Sequence, residues 1–112
     1  MNTRIVENQM NMSVQITLFI QAGGNPNDLH GTVNVTLAPG DSQPVNYGDL
    51  RNCFLSGMKL SPLPQDPTDT YYCRVRERGD AVDIWLNNSH SIVLTPDCLQ
   101  RMESSQLFRR AN

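Results

Sequence analysis

Apolar and polar residues alternate along the first quarter of the chain, and this is its clearest pattern. The odd positions between Asn11 and Gln21 are polar except for Phe19, while the even positions are apolar. A period of two predicts a β-strand with one buried face. The apolar even positions are Met10, Met12, Val14, Ile16, Leu18 and Ile20.

The alternation stops at a glycine- and asparagine-rich segment and then resumes. Gly23 to Asp28 collects residues that accept positive φ or fix φ, so it predicts a long exposed loop. Val33 to Leu37 then predicts a second strand, and Val45 to Tyr47 predicts a short third one. Between Leu50 and Leu60 the apolar phase changes, which predicts a bulge at Gly57.

The second half of the chain shows the same period. Tyr71 to Arg76 alternates, and Val82, Ile84 and Leu86 continue the pattern beyond the turn residues Arg78-Gly79-Asp80, which together predict a β-hairpin. A last short strand follows at Ile92 and Leu94. Thr95-Pro96-Asp97 has the chemistry of a helix start and predicts a helix near 96–108.

These elements predict an all-β fold in one domain spanning residues 1–112. Seven or eight short strands at spacings of about ten residues indicate an antiparallel β-sandwich, immunoglobulin-like or jelly-roll-like, with a short C-terminal helix. The common phase of eight apolar residues predicts the core: Val14, Ile16, Leu18, Val33, Val35, Val75, Ile84 and Leu86.

Asp69-Thr70-Tyr71-Tyr72-Cys73 resembles the segment before the second cysteine of an immunoglobulin variable domain. The resemblance covers these five residues only. Cys53 is too close upstream to be the family's first cysteine, and Trp85 follows Cys73 where the family's tryptophan precedes it. A tyrosine corner in another kind of sandwich is the alternative implication.

The composition is polar but weakly charged. Asn, Gln, Ser and Thr total 33 residues against 20 charged ones, and the formal net charge is -2. This balance argues against a nucleic-acid partner and against a basic membrane-surface protein. The sequence also lacks the pattern of a signal peptide or a membrane-spanning segment, so a cytoplasmic location is the default expectation, with leaderless export left open.

Residues that could carry chemistry are few. Asn25, Asn27, Asp28 and His30 share one loop and could join a calcium or sugar site, but a calcium loop needs more carboxylates than Asp28 supplies. We therefore expect no metal ion and no cofactor, and an Asn-rich loop whose side chains bond to its own backbone.

The thiols offer little more. Three cysteines allow at most one internal disulfide, and we expect reduced, unreactive thiols, with Cys53 and Cys73 on buried strand phases.

Three large aromatic residues fall on the polar phase of predicted strands: Phe19, Tyr72 and Trp85. Exposed aromatics in one patch mark an interface, although a covering helix would explain them equally. The sequence thus favours a non-catalytic binding or interaction module that uses its loops or this aromatic strand face. The expected partner is a protein or glycan, and a homo-oligomer is possible.

Other functions compete with this one. The chain could be a structural subunit of a virion or secretion apparatus that packs against its own copies. It could be a small hydrolase that pairs His30 or His90 with a cysteine or aspartate. The tripeptide Arg78-Gly79-Asp80 on a hairpin tip would also suit integrin recognition, a reading that nothing else in the sequence favours.

Overall fold

A computed structural model describes residues 2–64 and 69–104 of the chain. This part of the chain forms eight strands, one α-helix and one 3-10 helix. They are β1 (Asn2–Asn8), β2 (Val14–Gln21), β3 (Leu29–Leu37), β4 (Ser42–Tyr47), β5 (Leu55–Pro62), β6 (Tyr71–Arg74), α1 (Ala81–Asn87), β7 (Ser91–Leu94), the 3-10 helix Pro96–Arg101 and β8 (Glu103–Ser104).

The strands form two sheets, which confirms the predicted all-β sandwich. One sheet has three strands in the order β4-β1-β7, and the other has five in the order β3-β2-β5-β6-β8. Every neighbouring pair is antiparallel except β1 and β7, which run parallel. Along β2 the even positions are buried and the odd positions half-buried up to Ile20, as the alternation predicted.

One hydrophobic core lies between the sheets. Val14, Ile16 and Leu18 of β2 are fully buried in it. Val75 and Leu86 are also buried, while Val33 and Val35 are half-buried against the core. The further buried apolar residues include Val6, Leu37, Leu55, Met58, Leu60, Ile92 and Leu94.

The N-terminal strands differ from the prediction in two respects. The strand predicted from Met10 begins only at Val14, although Met10 is itself buried. The N-terminal strand β1 was missed, because its only adjacent apolar residues are Ile5 and Val6 and its charged residues hide the pattern. Its last residue, Asn8, is buried yet fully bonded: its side-chain amide donates to three carbonyl groups and its Oδ1 accepts from the Met10 N–H.

The bulge predicted at Gly57 is present. Phe19 of β2 pairs with Gly57, while the next residue, Ile20, pairs with Leu55, so Ser56 is the extra residue. The bulge lets Leu55, Ser56, Gly57 and Met58 all be buried in succession.

The predicted hairpin after Tyr71 is wrong, because residues 81–87 form the helix α1. Asp80 is the N-cap, and its carboxylate accepts from the Asp83 N–H at 2.8 Å. Val82, Trp85 and Leu86 lie at helical spacing and pack against the core. Ile84 points away and is 51 % exposed, so its assignment to the core is also wrong.

The C-terminal helix is shorter than predicted. Pro96 begins a 3-10 helix that ends at Arg101, and the chain then pairs with β6 through β8. Thr95 precedes this helix without a side-chain capping bond. Residues 105–108 of the predicted helix lie outside the described residues. Within the described ranges, no helix has the length and apolar character needed to span a bilayer.

Candidate functional site

A groove of about 390 Å³ crosses the outer face of the five-stranded sheet. All five strands of that sheet or their adjoining segments contribute to it, together with α1 and the end of the 3-10 helix. Its lining includes Phe19, Leu29, Gly57, Tyr72, Val82, three arginines (Arg74, Arg76 and Arg101), Asn27, Asp28 and Glu103. We call this feature the arginine-rimmed groove.

The floor of the groove lies at Gly57. In the strand register Gly57 sits between Phe19 on β2 and Arg74 on β6. A Cβ atom at this position would lie 2.7 Å from the carbonyl oxygen of Cys73, closer than Cβ atoms approach backbone. The glycine therefore permits close packing of β5 against β6, and its missing side chain leaves the trough between Phe19 and Arg74 open.

The walls of the groove are apolar on a sheet face that is otherwise polar. Leu29 is 58 % exposed and Tyr72 is 38 % exposed, while Phe19 is half-buried. Their neighbours on the same face of β2 and β3 are polar residues such as Thr17 and Asn34. An exposed apolar patch in a groove is typical of binding surfaces.

The rim carries three arginines and two acids. Arg74 donates to the Oδ1 of Asn27 at 3.2 Å, which ties β6 to the loop before β3. Arg76 forms an ion pair with Glu103 at 3.2 Å, and both side chains are more than half exposed. Counting Asp28 and Glu103 against Arg74, Arg76 and Arg101 leaves one positive charge in excess, although the whole chain is acidic.

The groove brings together four of the seven binding residues predicted from sequence: Phe19, Tyr72, Asn27 and Asp28. The other three lie elsewhere. Asn25 uses its Oδ1 to accept from the Asn27 N–H at 3.0 Å, the local bonding expected of an Asn-rich loop. His30 is exposed in β3 and is not part of the groove lining.

Trp85 differs from its predicted position. It lies on α1 and not on a strand, and it is half-buried against the core. The guanidinium of Arg101 lies 5.7 Å from the centre of its ring, and Arg101 also lines the groove. Trp85 therefore supports an arginine of the rim from outside the groove.

Leu29, Val82 and the three arginines of the rim were not predicted from the sequence. A signal for Arg74 was present, since it shares the outward phase of β6 with Tyr72. Nothing local to Leu29, Val82 or Arg101 distinguishes them, because they come from other parts of the chain.

The tripeptide Arg78-Gly79-Asp80 is not displayed on a hairpin tip. Asp80 caps α1, and Arg78 lies over the ring of Phe54 at 3.7 Å and donates to Asp83 at 3.1 Å. Gly79 has a positive φ of 89°, which glycine adopts without steric cost in the turn before α1. These contacts give the tripeptide a structural role in starting the helix.

Two of the three thiols, those of Cys73 and Cys98, are protected by burial. Burial raises the pKa of Cys73 to about 12 and also raises the pKa of Cys98. A nucleophilic cysteine needs a lowered pKa, so neither thiol is suited to that chemistry at neutral pH. Cys53 is half-buried in the segment before β5, not on a buried strand phase, and all three thiols are free.

Both histidines, His30 and His90, are exposed. In residues 2–64 and 69–104, no group of three or more histidine, cysteine or acidic side chains is placed to hold a metal ion. No protein-family model, curated protein or solved structure matches the chain.

Proposed function

We propose that this protein is a non-catalytic interaction module whose binding site is the arginine-rimmed groove. The observation that supports this most strongly is the row of Phe19, Gly57 and Arg74 across three strands, which joins an aromatic wall, an open floor and a cation. Largely preformed clefts with apolar walls and a few placed polar groups are typical ligand sites.

The chemistry of the groove favours a protein segment as partner. Leu29, Val82 and Phe19 offer contact to an aliphatic or aromatic side chain. Arginine donates forked hydrogen bonds that match a carboxylate, and the rim has a positive charge in excess. We propose a peptide that places an apolar residue on the floor and an aspartate or glutamate against Arg74 or Arg101.

A random peptide library displayed on phage tests this function. Selection on the wild-type chain should enrich peptides in which an aromatic or aliphatic residue stands near an acid. Tyr72→Ala and Arg74→Ala should each weaken binding of the enriched peptides by about tenfold or more, the usual effect of truncating a hot-spot residue. Circular dichroism of each variant checks that the fold is retained.

Arg51→Ala is the matched control, because Arg51 is an exposed arginine outside the groove. It should leave peptide affinity unchanged. Enriched peptides that bind the Tyr72→Ala and Arg74→Ala variants as tightly as wild type would contradict the proposed site. Selective binding to a glycan array, with no peptide enriched, would contradict the proposed partner.

A further inference from the structure

In residues 2–64 and 69–104 the two sheets end in four edge strands, and three of them are protected. β4 carries Pro44, which has no N–H to offer a neighbouring strand. β7 has four residues, and β8 has two within the described range, so each offers a much shorter row of backbone groups than a long edge strand does. Short edges and edge prolines are common ways in which proteins prevent strands from pairing between molecules.

The fourth edge, β3, has none of these protections. It extends over nine residues from Leu29 to Leu37 without a proline, lysine, arginine, aspartate or glutamate. It pairs continuously with β2 from Leu37 to Gly31 and irregularly only at Leu29. No described strand pairs with its other edge, so a regular row of backbone N–H and C=O groups faces outward there.

We propose that β3 is a self-association surface, on which the β3 strand of a second copy of this chain pairs in antiparallel register. A twofold axis at Val33 brings Val33 opposite its own copy and Thr32 opposite Asn34. Thr32 and Asn34 are exposed on one face of the strand and can hydrogen-bond to each other, while Val33 and Val35 are half-buried on the opposite face.

The side chains of β3 suit pairing with a second copy of the same strand, because none of them carries a charge that would repel its own counterpart. In a twofold pair every residue meets the residue placed symmetrically about the axis, so a charged side chain close to the axis would face a like charge nearby. β3 has no such residue between Gly31 and Leu37. The pairing would join two five-stranded sheets edge to edge.

The paired arrangement has a consequence for binding that rests on the proposed function. A twofold axis perpendicular to the sheet keeps both grooves on the same face. Leu29 lines the groove and is four residues from Val33, so the two copies of Leu29 would lie about 26 Å apart along the strands. A dimer could then engage two peptide segments of one partner.

Sedimentation equilibrium of the full chain tests the self-association itself. A contact made by one strand pair is small, so we expect dissociation between about 1 µM and about 1 mM. The wild-type chain should approach twice the 12.6 kDa mass of one chain as concentration rises. A mass that stays at one chain up to about 1 mM overturns the proposal and leaves the β3 edge to the strand of a different protein.

Paired charge variants then identify the surface. Thr32→Lys with Asn34→Lys places lysines opposite each other across the axis and should weaken the dimer by about tenfold or more. Mixing this variant with the one carrying Thr32→Glu and Asn34→Glu should restore a dimer of the two different chains. A lysine variant that dimerises like wild type, or a mixture that remains monomeric, overturns the proposed pairing.

The matched control is Ser42→Lys with Asn46→Lys on the edge strand β4. Asn46 accepts from the Thr3 hydroxyl at 2.7 Å, as Asn34 accepts from the Thr17 hydroxyl at 2.6 Å, so both variants lose an equivalent bond. This control should dimerise like wild type. A loss of the dimer in the control equal to that in the β3 variant would attribute the effect to charge in general and would also overturn the proposal. Self-association does not require the groove, so these results stand independently of the peptide selection.

Discussion

Replacing Ile16 and Ile84 by alanine, one at a time, tests whether the second half of the predicted hairpin is a helix. The two residues have the same chemistry and the same apparent phase in the sequence. In the structure Ile16 is fully buried between Val35 and Leu60 of the adjoining strands. Ile84 lies on α1 and is 51 % exposed.

The expected losses differ because of this burial. Removing the buried atoms of Ile16 costs their transfer free energy and leaves a cavity in a packed core, about 2 to 5 kcal/mol of unfolding free energy. Full burial of an isoleucine side chain contributes roughly 1.5 to 3 kcal/mol, and the half-exposed Ile84 would lose about half of that contribution. Alanine has a helix propensity that is about 0.4 kcal/mol more favourable than that of isoleucine. The net loss of unfolding free energy is therefore about 0.5 to 1 kcal/mol.

Urea unfolding followed by far-ultraviolet circular dichroism measures both losses, and the fluorescence of the single tryptophan provides a second probe. With a urea dependence of about 2 kcal/mol per molar, in the middle of the usual range, the Ile16→Ala midpoint should fall by about 1 to 2.5 M. A loss above about 2 kcal/mol for Ile84→Ala would mean that Ile84 is buried and that the helix is misplaced. A loss below about 1 kcal/mol for Ile16→Ala would refute the assignment of β2 to the core.

Three further predictions concern the cap residue Asp80, the thiols and the Asn-rich loop. Desolvation acts to raise the pKa of Asp80, but the backbone N–H groups of residues 83, 76 and 77 outweigh it and hold that pKa below the ordinary 3.8. Asp80→Ala should therefore cost about 1 to 2 kcal/mol near neutral pH. The difference in unfolding free energy from wild type should shrink as the pH falls below the ordinary pKa of 3.8, because a carboxyl with a depressed folded-state pKa loses its stabilising contribution as it protonates. Asp80→Asn should show a smaller loss than Asp80→Ala. Equal losses from pH 7 to pH 2 would contradict this account. Native-state alkylation should label Cys53 first and leave Cys73 and Cys98 unmodified, and mass spectrometry showing early labelling of Cys73 would return it to consideration as a nucleophile. Thermal melts with millimolar calcium and with chelator should coincide, because Asp28 is the one carboxylate of its loop; a rise in melting temperature that Asp28→Ala abolishes would establish a calcium site.

The sequence by itself determined the strands that bury one face and leave the other partly exposed, such as β2. In β2 the alternation is a property of neighbouring residues, because side chains of an extended chain point to opposite faces in turn. The phase change near Gly57 likewise indicated the bulge, since one inserted residue reverses every later side chain. Phe19 and Tyr72 were identified as functional candidates for the same reason: they are large aromatics on the polar phase of a strand.

Tertiary structure decided the conformation of residues 81–87. Val82, Ile84 and Leu86 fit a strand, while Val82, Trp85 and Leu86 fit a helix face, so periodicity alone could not separate them. Capping by Asp80 and packing of the helix face on the core favour the helix. The same is true of β1, whose burial depends on the two strands that pair with it and not on its own pattern.

The groove belongs to tertiary structure almost entirely. Its apolar wall, its floor and its cationic rim come from segments as distant as Phe19 and Arg101, which only the strand order β3-β2-β5-β6-β8 brings to one face. The sequence could place Tyr72 and Arg74 on a shared face because they are two residues apart on one strand. It could not place Leu29 opposite them, because neighbours across a sheet are set by backbone pairing between strands and by the packing of one sheet on the other.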